Sequence, residues 1–193
     1  MISEISANAF YDDQAIKITI TGNGAVGKTS LCQQLTTGTI PGTYDLTIGC
    51  DIHQKKMEVV ENKHVSLVLW DLAGQDRFES VRPTFYKGSH AAVVVFDLTS
   101  RGSFYDVRSW VREIRRNAPQ TPFVLVGNKS DKGNEDLREV SREEAEELAH
   151  ELKVPYLETS ALDGSNVESV FQEATKLALT INNPRRDPRF LAY

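Results

Sequence analysis

The segment Gly22-Asn23-Gly24-Ala25-Val26-Gly27-Lys28-Thr29 follows the pattern G-x-x-x-x-G-K-[ST], and its flanks leave few architectures open. Upstream, Ala15 to Thr21 alternates apolar and polar residues and predicts a strand. Downstream, Leu31 and Leu35 lie one turn apart, which predicts a helix over about 27–37. Strand, glycine loop and helix in that order are what a phosphate-binding loop requires. Glycines let successive backbone N–H groups turn toward one anion. The helix N-terminus adds a partial positive charge. The candidate nucleotide contacts here are Gly22, Gly24, Ala25, Val26, Gly27, Lys28, Thr29 and Ser30. Lys28 would reach the β- and γ-phosphates, and Thr29 would hold Mg²⁺. A flexible glycine loop with a surface lysine is the bland alternative, and the flanking elements count against it.

The rest of the chain alternates strands with helices. Apolar runs near 49–60 and 64–70 predict two strands, with a hairpin turn at Asn62-Lys63. Ala91 to Phe96 and Phe123 to Val126 are continuously apolar, as strands covered on both faces should be. Phe104, Val107, Val111 and Ile114 recur at helical spacing between them. Ser141 with Glu144 predicts a capping box opening a helix whose buried stripe is Ala145, Leu148, Ala149 and Leu152. Val154 to Leu157 predicts the last strand. Ser165 with Glu168 repeats the capping pattern ahead of a helix running to about Ile181. The expected fold is α/β: a mainly parallel six-stranded sheet with one antiparallel edge strand and helices on both faces. The expected organisation is a loose N-terminus over 1–13, one domain over 14–181 and an irregular, proline-containing tail over 182–193.

Composition narrows the functional classes. A net charge of −5 gives no electrostatic reason to expect nucleic acid as a partner. No apolar run approaches the length of a membrane span. The opening Met1-Ile2-Ser3-Glu4 lacks the features of a secretory signal, and residue 2 is not the glycine that myristoylation needs. Cys32 and Cys50 lack metal-ligand spacing and are expected to be reduced thiols, which suits a cytoplasmic protein. His53, His64, His90 and His150 are scattered and read as structural.

Four further motifs carry chemistry. Asp71 ends a predicted strand, where an acid can bind Mg²⁺ through water. Gly74 and Gln75 follow it; the glycine N–H can meet a γ-phosphate, and the glutamine can orient an attacking water. Asn128-Lys129-Ser130-Asp131 follows another strand. Asp131 can accept from N1–H and the exocyclic amine of guanine, a donor pair that adenine lacks. Thr159-Ser160-Ala161 follows the last strand and offers backbone N–H groups to the guanine O6. Thr47 sits where it can close on Mg²⁺ and the γ-phosphate when GTP is bound.

In order and spacing these blocks resemble a Ras-superfamily small GTPase, a P-loop NTPase, and within that superfamily a Rab. The resemblance covers about residues 14–181. It is carried by Thr47-Ile48-Gly49-Cys50-Asp51, Leu69-Trp70-Asp71, Ala73-Gly74-Gln75-Asp76-Arg77-Phe78, Phe85-Tyr86-Lys87-Gly88 and Val95-Phe96-Asp97-Leu98-Thr99. It implies a GTP-binding and GTP-hydrolysing switch in vesicle traffic, with Mg²⁺ as cofactor and slow intrinsic turnover stimulated by an activating protein. Residues 38–49 would form switch I, which contributes Tyr44 to the nucleotide, and about 72–86 would form switch II. Lys28 and Gln75 would be catalytic; Thr29, Thr47 and, through water, Asp71 would serve the metal. Gly74, Asn128, Lys129, Asp131, Ser160, Ala161 and Leu162 would join the nucleotide site. Exchange factor, activating protein and effectors would meet a monomer at the switches and around Trp70.

Four departures from that pattern stand out. Ile40 replaces an aromatic residue that usually lies against guanine, which implies faster GDP release. Ile52 and Phe85 flank Trp70 where Rabs typically have phenylalanine and tyrosine, which implies unusual effectors. Leu162 replaces a lysine after Ser160-Ala161. The chain ends Arg189-Phe190-Leu191-Ala192-Tyr193 without a prenylation cysteine, so no direct lipid anchor is expected in it. Membrane association would then need a longer native tail or a recruiting partner. The competing readings are a Rab-like scaffold subunit with a structural nucleotide, and a P-loop kinase or ATPase, which would leave Asn128 to Asp131 without a task.

Overall fold

The computed structural model of this chain describes residues 15–40, 46–60, 63–131 and 136–181. The expectations for the N-terminal stretch, the C-terminal tail, Tyr44 and the turn at Asn62 lie outside those residues. The elements run β1 (Ala15–Thr21), α1 (Lys28–Thr37), β2 (Cys50–Val60), β3 (Lys63–Leu72), a 3-10 turn (Asp76–Phe78), α2 (Arg82–Tyr86), β4 (Ala91–Asp97), α3 (Arg101–Tyr105), α4 (Val107–Asn117), β5 (Phe123–Asn128), α5 (Arg142–Leu152), β6 (Tyr156–Thr159) and α6 (Val167–Ile181).

The six strands form one sheet in the order β2-β3-β1-β4-β5-β6. All neighbours pair in parallel except β2 with β3, where Cys50 lies opposite Leu72 and Ile52 opposite Trp70. After β1 the chain moves to one side for β2 and β3, then crosses to the other side for β4 to β6. The carboxyl end of β1 therefore lies at the reversal of strand order, where α/β sheets open a crevice.

Continuous apolar runs become strands here because both faces are covered. Along β4, Ala91, Val93 and Val95 enter one core and Ala92, Val94 and Phe96 the other. Successive side chains point to opposite faces, so one strand serves two layers. The first core packs β1 through Ile16, Ile18 and Ile20 against Leu31 and Cys32 of α1 and Phe171 and Ala174 of α6. It reaches Val26 in the phosphate loop and Ala161 beyond β6. The second core joins Leu72, Tyr86, Trp110, Ile114 and Leu148 from β3, α2, α4 and α5. Half-buried Cys50, Trp70 and Phe85 pack against its rim. On that face β1 presents Thr19 and Thr21, whose hydroxyls bond those of Ser89 and Tyr86, so no polar group is left unpaired there.

Three local expectations shift. The helical spacing from Phe104 to Ile114 resolves into α3 and α4, with Asp106 between them. Ser100 caps α3 by accepting from the Ser103 N–H, and Asp106 is the N-cap of α4, so one apolar stripe spans two helix starts. The last strand begins at Tyr156, two residues later than expected. The Val154 N–H is bonded to the Ala149 carbonyl at the end of α5, and Pro155 has no N–H for a ladder. The helix α6 begins at Val167, so Ser165 precedes its cap position, and its N–H bonds Asp163 Oδ1 at 2.9 Å. The capping box at Ser141 and Glu144 is formed with both bonds, at 3.2 and 3.0 Å.

Candidate functional site

The loops after β1, β3, β5 and β6 leave the sheet at its carboxyl edge and converge. Backbone crowding fixes two of the glycines. Gly27 has φ 94°, and a Cβ there would stand 2.3 Å from Asn128 Nδ2. A Cβ on Gly74 would stand 2.2 Å from the Gly22 carbonyl oxygen, so the 73–75 segment lies directly on the phosphate loop.

Lys28 is buried, and its Nζ donates to the carbonyls of Gly22 at 2.9 Å and Asn23 at 2.6 Å. Burial lowers its pKa to about 8, while Asp71 pulls in the other direction. Asp71 is fully buried, and burial raises its pKa against the opposing effects of Thr29 and Lys28. Its Oδ2 accepts from Thr29 at 2.5 Å and Thr47 at 3.4 Å; the two hydroxyls lie 3.0 Å apart. Its Oδ1 is buried without a hydrogen-bond partner.

This cluster of two hydroxyls and one carboxylate with an unsatisfied oxygen fits Mg²⁺. That ion takes hard oxygen ligands and commonly one or two protein groups beside phosphates. Among the described residues no group of three or more His, Cys, Asp or Glu forms a competing metal centre. Beside the cluster, Gly24, Ala25, Thr29, Thr47, Gly74 and Gln75 border a small cavity of about 30 Å³. A Cβ on Gly24 would stand 3.8 Å from Gln75 Cγ, so the glutamine lies over the phosphate loop.

A wider cavity of about 440 Å³ adjoins the loop. Ser30, Ile40, Asn128, Lys129, Asp131 and Leu162 are among its walls. Asn128 joins three segments: Nδ2 donates to the Val26 carbonyl at 2.9 Å, and Oδ1 accepts from Thr159 at 3.0 Å and the Ala161 N–H at 3.2 Å. Asp131 accepts from Ser160 Oγ at 3.1 Å. Lys129 is held in the left-handed region at φ 70° and pairs with Asp97 at 2.6 Å. Ile40 packs against the first core, while Leu162 is 72% exposed at the rim.

Every sequence-derived candidate among the described residues is thus brought to one crevice. Sequence reasoning did not single out Arg82, Asp106, Trp110 or Glu113, which lie just outside it. Their signal was present in part: Asp106, Trp110 and Glu113 recur at i, i+4 and i+7. Cys32 and Cys50 are free thiols whose pKa values burial pushes upward, that of Cys50 to about 12, so neither is an activated nucleophile.

Around Trp70, Lys17 Nζ sits 3.9 Å from the ring centroid, and Phe85 tilts against it at 6.0 Å. Ile52, opposite Trp70 on β2, is 50% exposed. Among the described residues no helix is long and apolar enough to cross a membrane.

The Ras family model matches residues 17–180. The chain is 42% identical over 165 residues to the GTP-binding protein YPT1 of Saccharomyces cerevisiae, covering 85% of this chain and 78% of that protein. It is 39% identical to Ras-related protein Rab-39A of Mus musculus, covering 83% and 76%. It is 36% identical over 191 residues to Ras-related protein Rab-26 of Bos taurus, covering 97% and 73%.

Proposed function

The chain belongs to the Ras family as a Rab-like GTPase that hydrolyses GTP to GDP, and from that premise we propose that its two nucleotide states regulate membrane traffic. The observation that best supports the site assignment is the oxygen cluster of Thr29, Thr47 and Asp71 beside buried Lys28, with Gln75 over Gly24.

In this reading the phosphate-loop N–H groups and Lys28 bind the β- and γ-phosphates. The ammonium exchanges two backbone carbonyls for phosphate oxygens and offsets charge as the terminal bond breaks. Thr29 and Thr47 would hold Mg²⁺ directly and Asp71 through water; a bound ion would supply charge neutralisation to the phosphates. Gln75 orients the attacking water, and the bare Cα of Gly24 leaves it room. Asp131 reads the guanine edge, and the Ser160–Leu162 loop closes over the base. Thr47 and Gly74 sense the γ-phosphate, so the segments 38–49 and 72–86 rearrange when it leaves. Exchange factors, activating proteins and effectors meet those segments and the surface around Trp70. Lys17 already covers part of that indole, and Ile52 stands beside it, so the effector surface combines a masked ring with an exposed aliphatic group. The chain is proposed to act as a monomer.

The test has two parts. Protein loaded with GTP and Mg²⁺, incubated and denatured, should yield GDP and phosphate on chromatography. Persistent GTP would point instead to a structural nucleotide. For traffic, tagged Gln75→Leu and Thr29→Asn proteins should differ in distribution, the first on membranes and the second diffuse. Equal distributions would remove the traffic role without touching GTP turnover.

A further inference from the structure

The nucleotide site leaves a second polar assembly unexplained, directly behind Gln75. Arg82 is only 4% exposed. Its Nε and Nη2 donate to the two oxygens of Glu113 at 2.8 and 3.0 Å. Its Nη1 donates at 3.0 Å to the backbone carbonyl of Gln75. The guanidinium also lies 4.6 Å from the centroid of Trp110. Trp110 in turn donates from Nε1 to Asn23 Oδ1 at 2.6 Å, and Asn23 Nδ2 donates to Asp106 Oδ2 at 2.7 Å. Burial works against the Arg82 cation, yet the Glu113 carboxylate keeps its pKa above the usual arginine value.

Two loops are therefore fastened to one helix. Asp106, Trp110 and Glu113 mark one face of α4 at i, i+4 and i+7. The adjoining face of α4 is buried in the second core through Val107, Val111 and Ile114, and Trp110 reaches the same core from the boundary. Asn23 ties the phosphate loop to this helix, and Arg82 ties the segment carrying Gln75 to it. Gln75 is extended (φ −85°, ψ 144°) and heads the 3-10 turn without a side-chain cap, so its amide is not used in local structure. Where that amide sits follows from where the Gln75 backbone is held. The Phe78 N–H also engages its carbonyl, at 3.0 Å.

We propose that Arg82 is a positioning residue for GTP hydrolysis: it holds the Gln75 backbone on α4, the helix that also holds the phosphate loop through Asn23. Gln75 and the γ-phosphate then share one rigid reference. Arg82 touches no nucleotide and acts through Gln75, so the proposal rests on the reading of Gln75 as the water-orienting residue. An arginine suits the task because its planar fork serves a carboxylate with two donors and a carbonyl with a third. A lysine ammonium is a single point and cannot span all three acceptors in that geometry.

The experiment is single-turnover hydrolysis by the full chain loaded with GTP and Mg²⁺, run beside release of a fluorescent GDP analogue. Arg82→Met and Arg82→Lys should each slow hydrolysis by about tenfold or more, since small misplacements of a reacting group are that costly. GDP release should stay within about twofold. In a Gln75→Leu background, Arg82→Met should remove less than about twofold more, because two residues acting as one unit are not additive.

Wild-type hydrolysis in both Arg82 variants would overturn the proposal. So would a full additional loss in the Gln75→Leu background, or faster GDP release and a lower melting temperature in step with slower hydrolysis. Wild-type hydrolysis by Gln75→Leu alone would instead overturn the underlying assignment of Gln75. Should Arg82→Met fail to fold, Glu113→Gln weakens the same seat and is read by the same criteria.

Discussion

At the phosphate end of the crevice, Lys28 is bonded to two carbonyls and Asp71 to two hydroxyls, beside a cavity of about 30 Å³. At the base end the cavity is about 440 Å³, its walls near the rim are Ile40 and Leu162, and among the described residues no aromatic ring lines it. The first region is charged, crowded and internally crosslinked. The second is open and aliphatic, with its polar reading confined to Asp131 and the loop at Ser160. A purine stacked on a ring gains about 1–3 kcal/mol that an isoleucine does not supply. The difference teaches that, under the proposed function, chemistry and retention fall to separate parts of the site. In the proposed reading the groups that handle charge are the crosslinked ones, and those that hold the base are the aliphatic ones.

The comparison can be broken first at Asp131. Asp131→Ala should weaken GTP binding on the order of a thousandfold, as two charge-assisted bonds are lost. Titration with a fluorescent guanine nucleotide reads it; an unchanged affinity would mean the base is not read there. Gln75→Leu comes next. It should slow single-turnover hydrolysis by about ten- to a hundredfold with GTP affinity within about twofold. Equal losses in both would merge the two ends that the structure separates.

Ile40→Phe sharpens the contrast from the other side. Adding a ring should slow GDP release by about tenfold and leave hydrolysis unaltered. An unchanged release rate would show that the aliphatic wall is not what limits retention.

The smallest effect is on pH. Lys28 has a pKa of about 8 in the nucleotide-free fold against 10.5 unfolded. Between those values the unfolded chain binds more protons, so through this group fold stability rises with pH; below about 8 the burial penalty is fully present. Nucleotide affinity runs the opposite way, because the phosphates need the ammonium. GDP binding should weaken by about fourfold between pH 7 and 8.5, and Lys28→Met should flatten that slope. A GDP affinity independent of pH in the unaltered chain would show that Lys28 does not titrate at the site.

What the sequence made legible was local. The phosphate loop could be read because its spacing is a backbone requirement, and Asp71 and Asn128 to Asp131 because they follow strands that announce themselves by apolar runs. The two-faced burial of β4 was readable for the same reason. Arg82 and Glu113 were not, since their pairing joins positions 31 residues apart and each alone passes for a solvated charge. Trp110 was hidden inside an apolar stripe, and only its bond to Asn23, 87 residues away, gives it a second role. Asn128 shows the subtler limit. Its motif points to the base, but both ends of its amide are bonded within the protein, to Val26 and to the 159–161 loop. Boundaries moved where a neighbour claimed a backbone group first, as at Val154 and Pro155.

The alternation along β4 has a consequence for how such a chain can diverge. Ala91, Val93 and Val95 share a core with Val26, Ala161 and the packed edge of Ile40, which stand at the crevice. Ala92, Val94 and Phe96 share theirs with Leu72, Tyr86 and Trp110, which belong to the 72–86 segment and the helix behind it. Neighbouring residues of one strand therefore answer to different packing demands. Under the proposed function, a substitution at an odd position bears first on the walls of the crevice, and one at an even position on the seat of the 72–86 segment. If the proposed function holds, the lifetime of the signal can be retuned from one layer without redrawing the surface that the other layer supports.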